Sequence, residues 1–407
     1  MTKKTHMRRI IMHIDMNSYF ASVEQQANPF LRGKAIGVSG KRQTRSIIAT
    51  ASREAKARGV KTAMSVFEAT KLCPEMILIQ CDPEKYNEIT DRFFAIFREY
   101  APCVEQFSID EGFLDLTDCA NDCIDAIIIA QKIRNRIKSE CGEFITASIG
   151  IGPNKLIAKL ASECKKPDGL TIIREDELPE KLNNFALQDF CGIGPQTAKH
   201  LEMLGIATVR ALRACPLDLL VREFKSYGAW LYNASRGIDD SPVIDSDEAP
   251  KSIGHSYTFS RDISAPDEIK RNLLWIADKV SRRSREQGFS AKQISVRVRY
   301  SDFTEKMRIV RFDEPINDGK AISAISWKLI SDFTNKNKAI RLLGISAGML
   351  CTAKPQNSLF VKKQKLQKTI IALDLLEDRY GNGIWTRASL LGLKFLPRAS
   401  GWREKNF

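Results

Sequence analysis

Between residues 8 and 173, short strand runs and helical runs alternate in an order that few architectures accept. Arg8 to Asp15 reads as an apolar strand ending in a carboxylate, and Ser18 to Ala27 as a helix. Residues 33–80 mix a short strand (Lys34 to Val38) with helices at Ser52 to Arg58 and Ser65 to Leu72. Within Pro83 to Tyr100, Ile89, Phe93, Ile96 and Phe97 recur at helical spacing. Val104 to Ile109 and Gly112 to Leu116 read as strands of a hairpin around Asp110-Glu111. A helix (Ile124 to Ile137), a strand (Ile145 to Ile151), a helix (Asn154 to Glu163) and a strand (Leu170 to Ile173) follow. That order suits a split β-α-β, ferredoxin-like sheet with helices packed on one face and a small insertion.

The pattern turns all-helical from residue 185 to 235, with tight turns at Gly192-Ile193-Gly194 and Gly205-Ile206. From 253 to 350, strands (Ser295 to Tyr300, Met307 to Phe312, Arg341 to Met349) alternate with helices (Pro266 to Gln287, Gly319 to Phe333). The expected fold class is α+β and multidomain, which suits 407 residues.

The net charge of +14 is unevenly placed. Residues 1–252 hold 34 basic and 34 acidic side chains, whereas residues 253–407 hold 29 and 15. Just before the switch, the acidic, Pro-containing stretch from Asp239 to Pro250 reads as an exposed linker. A basic back part points to a polyanionic partner, nucleic acid first. No apolar run approaches the roughly 18 residues needed to span a bilayer, and no signal-type apolar core follows the charged start. The ten cysteines are dispersed without a Cys-x-x-Cys pair. Neither zinc nor a disulfide scaffold is indicated, and reduced thiols in a cytosol are the simplest reading.

Asp15 ends the first strand, and Asp110 and Glu111 lie in the hairpin. Strand ends of a split β-α-β sheet can be neighbours, and three carboxylates meeting there repel one another. Their complement is a hard divalent cation, Mg²⁺ or Mn²⁺. Two such ions about 3.5–4 Å apart serve in-line nucleotidyl transfer. Arg53 and Lys56, one turn apart on one helix, and Lys166 can all reach a triphosphate.

Ile14 to Glu24 (Ile-Asp-Met-Asn-Ser-Tyr-Phe-Ala-Ser-Val-Glu) resembles the opening motif of Y-family, translesion DNA polymerases of the polymerase IV and UmuC group. Ser108 to Asp115, Ser148 to Lys155 and Lys165 to Gly169 are similar to further palm motifs. Cys191-Gly192-Ile193-Gly194-Pro195 resembles the thumb helix-hairpin-helix. The five motifs keep the family's order, and the resemblance spans roughly residues 8–350.

The resemblance implies a role for each matching position. Asp15, Asp110, Glu111 and the Met16 backbone carbonyl would be the metal ligands, for two Mg²⁺ ions. Phe20 would be the steric gate that excludes a 2′-hydroxyl, with Tyr19 packed beside it. Thr50, Arg53, Lys56 and Lys166 would surround the dNTP. Arg53 and Lys56 depart from the commonest pattern, which has Tyr and Arg there. Lys keeps the charge but loses bidentate geometry.

The implied domains are a palm (1–30 and 78–170), fingers (31–77), a thumb (171–240), a linker (241–252), a little finger (253–352) and a tail (353–407). Gly192 and Gly194 would hold a DNA phosphate on backbone N–H groups. Arg282, Arg283, Arg297, Arg299 and Arg308 would track duplex phosphates without reading sequence. In the tail, Gln356, Leu359 and Phe360 resemble the peptide that docks bacterial polymerases on the sliding clamp. Leu366, Ile370, Leu373 and Glu377 mark an amphipathic helix through Tyr380. Trp385 to Leu391 resembles a terminal segment of UmuC-like relatives, for which docking a partner and packing on the little finger remain open.

The implied activity is low-fidelity, template-directed DNA synthesis in the SOS response. The enzyme would be a monomeric, cytoplasmic and nucleoid-associated bacterial protein without a proofreading exonuclease. Three other readings stand beside it. They are a UmuC-like subunit needing SOS accessory proteins, a catalytically idle DNA-binding homologue, and a nucleotide cyclase with a palm-like sheet.

Overall fold

The computed structural model describes residues 9–40, 45–245, 249–333, 338–352, 361–381 and 383–392. The chain divides into two compact units that part at Asp247 and Glu248.

The first unit opens with β1 (Ile11–Met16) and α1 (Tyr19–Ala27). The insertion follows: β2 (Ile36–Ser39), β3 (Ile48–Ala51), α2 (Arg53–Ala57), α3 (Val66–Leu72) and β4 (Ile77–Gln80). Then come α4 (Pro83–Arg98), β5 (Cys103–Gln106), β6 (Glu111–Asp115), α5 (Cys123–Arg136), β7 (Ala147–Gly152), α6 (Lys155–Cys164) and β8 (Leu170–Ile172). A five-stranded sheet runs β5-β6-β1-β7-β8, with β1 central and antiparallel to both neighbours. On α4, Phe93, Ile96 and Phe97 are buried and Ile89 packs against them. The insertion carries its own three-stranded sheet, β3-β2-β4. Of its strands only β2 corresponds to a sequence expectation. Four residues each, and only partly buried, β3 and β4 carry too little alternation to announce themselves.

Four short helices complete this unit: α7 (Pro195–Met203), α8 (Val209–Ala214), α9 (Leu217–Phe224) and α10 (Ser226–Ala234). The stretch after them, expected as an exposed linker, is exposed at Ser241, Pro242, Ile244 and Asp245 but anchored at one point. Val243 is buried, its carbonyl accepts from Cys103 Sγ at 3.0 Å, and Ile244 N donates to Glu105 at 3.0 Å.

The second unit holds β9 (Ser252–Ile263), α11 (Pro266–Glu286), β10 (Phe289–Tyr300), β11 (Glu305–Ile316), α12 (Gly319–Ile330), β12 (Ile340–Thr352) and α13 (Val361–Tyr380). Its sheet runs β11-β10-β12-β9, all antiparallel. Strand β9 was not expected, although Ile253, Tyr257 and Phe259 sit at period two. Val296 and Val298 join Leu273, Ile276 and Ile322 in the core, so the helices cover one face of the sheet. The alternate residues Ser295, Arg297 and Arg299 face the other way.

Candidate active site

Strand register does the first part of the assembly. Asp15 pairs with Glu111 across β1 and β6, and Met16 N donates to Asp110 O at 2.9 Å. Glu111 is therefore in the strand rather than at the hairpin tip.

Helix α6 does the second part. Asn154 caps it by accepting from Ile157 N at 3.0 Å. Gly150 on β7 lets it come close, since a Cβ there would lie 2.0 Å from Ala158 O and 2.2 Å from Ser162 N. That approach brings Lys159 and Ser162 to the face of β1 that carries His13 and Asp15. The loop after α6 is tied down as Asp168 N donates to Asn17 Oδ1 at 2.7 Å.

The electrostatics follow from this crowding. Burial, and then the neighbouring Asp110 and Glu111 charges, push the Asp15 carboxyl up to about 6 despite Lys166. Asp110 is also pushed up, by burial and then by Glu111, although it accepts from Ser108 Oγ at 2.6 Å. Glu111 goes the other way. Burial opposes its charge, but His13 and Lys159 outweigh burial and hold it at about 2. Lys166 Nζ lies 3.2 Å from Asp15 and 2.6 Å from Glu163. Burial and the Lys166 charge push Lys56 down. Asp15, Asp110, Glu111, Lys56 and Lys166 thus form one electrostatic cluster.

Three acidic oxygen donors, two of them reluctant to ionise, are a donor set suited to a hard dication. The side chains do not close on a common point by themselves. Among the described residues, no group of three or more His, Cys, Asp or Glu side chains stands in metal-holding geometry.

Arg53 Nη2 donates to Thr146 Oγ1 at 2.6 Å, which joins the insertion to the central sheet. Thr50 lies half-buried on β3 opposite Val38. Phe20 is 8% exposed and stacks on Tyr86, with ring centroids 4.4 Å apart. Tyr19 packs beside Phe20, with ring centroids 5.6 Å apart. It is buried, and its hydroxyl bonds Tyr86 O at 2.6 Å and Thr90 Oγ1 at 2.9 Å. Sequence reasoning missed His13, Tyr86, Lys159 and Ser162. The i, i+3 spacing of Lys159 and Ser162 was the available signal for the last two.

At the helical end of this unit, Gly192 has φ +114 and its carbonyl accepts from Tyr227 at 2.6 Å. A Cβ on Gly194 would meet nothing within 4 Å, so the start of α7 stays open to approach.

The basic residues of the second unit separate into groups. Arg297 and Arg299 lie on the open face of the sheet, near Glu305. Arg308 does not join them. It pairs with Val296 on the helix side and lies over the Phe333 ring at 4.6 Å. Nor is Arg282 placed to track phosphates. Its side chain is 13% exposed and lies among Glu286, Asp374, Glu377 and Asp378. Arg283 donates to Gly254 O at 3.0 Å. The Trp385 to Leu391 segment packs on the same unit through Arg387–Asp278 at 2.7 Å and buried Leu390. Gln356, Leu359 and Phe360 lie outside the described residues.

Comparison with known proteins gives consistent matches. The impB/mucB/samB family model matches residues 14–163, and the model of that family's C-terminal domain matches residues 250–359. DNA polymerase IV of Desulfatibacillum aliphaticivorans is 36% identical over 387 residues, covering 94% of this chain and 97% of the relative. DNA polymerase IV of Moorella thermoacetica is 37% identical, covering 94% and 96%. The solved structure of the Y-family DNA polymerase chimera Dbh-Dpo4(243-245)-Dbh aligns with TM-score 0.76 at 25% identity. It covers 84% of this chain and 100% of that one.

Proposed function

The chain belongs to the impB/mucB/samB family of Y-family DNA polymerases, and from that premise we propose how its own residues carry out DNA synthesis. It is a DNA-directed DNA polymerase of the translesion type, acting on primer-template DNA and dNTPs. The observation that carries the site assignment is the register that sets Asp15 against Glu111 with Asp110 beside them.

Asp15, Asp110, Glu111 and the Met16 carbonyl would hold the divalent ions, with Mg²⁺ as the working metal and Mn²⁺ as a substitute. Bound there, the ions would lower the pKa of the primer 3′-hydroxyl and neutralise the leaving pyrophosphate. Lys166 and Lys56 would orient the triphosphate by charge, with Arg53 and Thr50 at its margin. Phe20, braced by Tyr86, would lie under the sugar.

The five-stranded sheet serves as palm, the inserted sheet as fingers, the α7–α10 helices as thumb and the β9–β12 unit as little finger. Gly192 and Gly194 would receive a phosphate on the α7 N–H groups. Arg297 and Arg299, on the open face of the second sheet, would meet duplex phosphates. Gln356, Leu359 and Phe360 would dock a sliding clamp. No described helix is long and apolar enough to cross a membrane, and a cytoplasmic setting suits the reading.

Near-full coverage by proteins named DNA polymerase IV supports a chain that extends primers without accessory subunits. Primer extension with Mg²⁺ by the purified chain tests this, and Asp110→Ala should abolish it. Undiminished synthesis by Asp110→Ala would refute the metal assignment.

A further inference from the structure

Glu111 is gripped on one oxygen only. His13 Nε2 lies 3.1 Å from Oε2, and Lys159 Nζ contacts the same atom. Neither reaches Oε1, which leaves that oxygen for a cation. Lys159 sits over the Phe107 ring at 5.0 Å, and its stem is largely shielded. His13 is the more constrained partner. It is 0% exposed, and Phe113 packs on its ring at 4.6 Å.

A carboxylate only accepts hydrogen bonds, so His13 Nε2 must carry the hydrogen. In a neutral imidazole Nδ1 is then an acceptor, and Ser162 Oγ lies 2.8 Å from it. Ser162 Oγ also donates to Lys159 O at 2.7 Å, and its single hydroxyl hydrogen serves one of these two acceptors at a time. The arrangement is a chain of contacts: α6 places Ser162 against the Nδ1 edge of the His13 ring, the Glu111 carboxylate sets the tautomer, and His13 holds the direction of Glu111. Outer-shell hydrogen bonds of this kind fix the direction and basicity of metal ligands.

We propose that His13, oriented by Ser162, is a positioning residue that fixes Glu111 as a one-oxygen ligand for the divalent ion. The inference rests on the metal assignment above, and the test separates the two. The measurement is Mn²⁺ affinity, from the free-ion electron paramagnetic resonance signal. The full chain is used with a dideoxy-terminated primer-template and the matching dNTP, so no turnover occurs.

His13→Leu fills the core without a donor and should weaken Mn²⁺ binding about tenfold or more. His13→Gln can set its amide nitrogen near the position of Nε2 and should retain most of the affinity. His13→Asn mimics the Nδ1 side alone and should behave like His13→Leu. Ser162→Ala provides a second variant if His13→Leu fails to fold, with an expected loss of roughly two- to tenfold. Glu111→Gln is the control.

Unchanged Mn²⁺ affinity in His13→Leu and Ser162→Ala, with loss in Glu111→Gln, overturns the positioning role and leaves the metal reading standing. Equal losses in His13→Leu and His13→Gln also overturn it, because only the fit of the ring would then matter. No loss in Glu111→Gln overturns the metal reading itself.

Discussion

Lys166 Nζ stands 3.2 Å from Asp15 Oδ1, an ammonium balancing a carboxylate that burial discourages from ionising. The side chain of the same lysine is 32% exposed, and its charge acts on Lys56. Its position suits a side chain that neutralises the carboxylate cluster and would turn to the triphosphate when nucleotide arrives.

Replacing it should therefore affect nucleotide binding most. Lys166→Ala should raise KM for dNTP by about 10–100-fold, the range for losing a charged hydrogen bond, with a smaller fall in kcat. Single-nucleotide insertion kinetics read both, and a change confined to kcat would contradict the assignment.

The raised Asp15 carboxyl predicts a pH-dependent stability term in divalent-free solution. A carboxyl raised from 3.8 to about 6 in the fold favours the folded state at low pH, and that contribution is lost as pH rises through about 6. Asp15→Asn should therefore stabilise the protein by on the order of 2 kcal/mol at pH 7.5. The gain should shrink as pH falls through 6 and vanish near 4. Thermal melts with chelator across that range check it, and a gain independent of pH would contradict it.

The gate role proposed for Phe20 and its packing in the core should both register in one substitution. Phe20→Ala should admit ribonucleotides, seen as a raised ratio of rNTP to dNTP insertion. It should also cost about 3 kcal/mol in stability, because a buried ring stacked on Tyr86 is lost. Unaltered sugar discrimination would remove Phe20 from the gate.

The two faces of the second unit predict a contrast. Arg297→Ala should weaken DNA binding uniformly across sequences and reduce the slope of log affinity against log salt by about 1. Arg308→Ala, on the helix side over Phe333, should leave the slope unchanged. Equal effects would show that the strand faces have been assigned wrongly.

The acidic face of α13 predicts a salt-sensitive attachment. Asp374 accepts from Arg285 Nε at 2.7 Å and also pairs with Arg282 at 3.1 Å. Asp374→Asn should expose Lys365 and Lys368 to trypsin at lower salt than in the parent. Identical cleavage would mean that apolar contacts alone hold the helix.

The sheet, its helices and the three carboxylates were legible because each rests on local periodicity or on a motif contained in one segment. The His13, Glu111, Lys159 and Ser162 cluster was not. Its members come from two strands and a helix, and the helix comes close because of the bare Cα of Gly150. Arg282 misled for the same reason. It was read as a phosphate contact because the carboxylates that claim it arrive some 90 residues later on α13. Tyr19 and Phe20 are adjacent aromatics, and only packing decides which ring enters the core and which lies at its margin.

The open face of the second sheet has a further consequence. Across it run Arg297, Gly344 and Ser256 in one row, Ser295, Ser346 and Gly254 in the next, and Gln293, Gly348 and Ser252 in a third. Two of its four strands thus present only glycine and serine along these rows, with no long side chain to enter a groove and catch on a base edge. A duplex resting on that face, as proposed, would meet along these two strands a surface with almost no memory of register. It would advance by one step and find nearly the same footing, whether the base pair just made is regular or damaged.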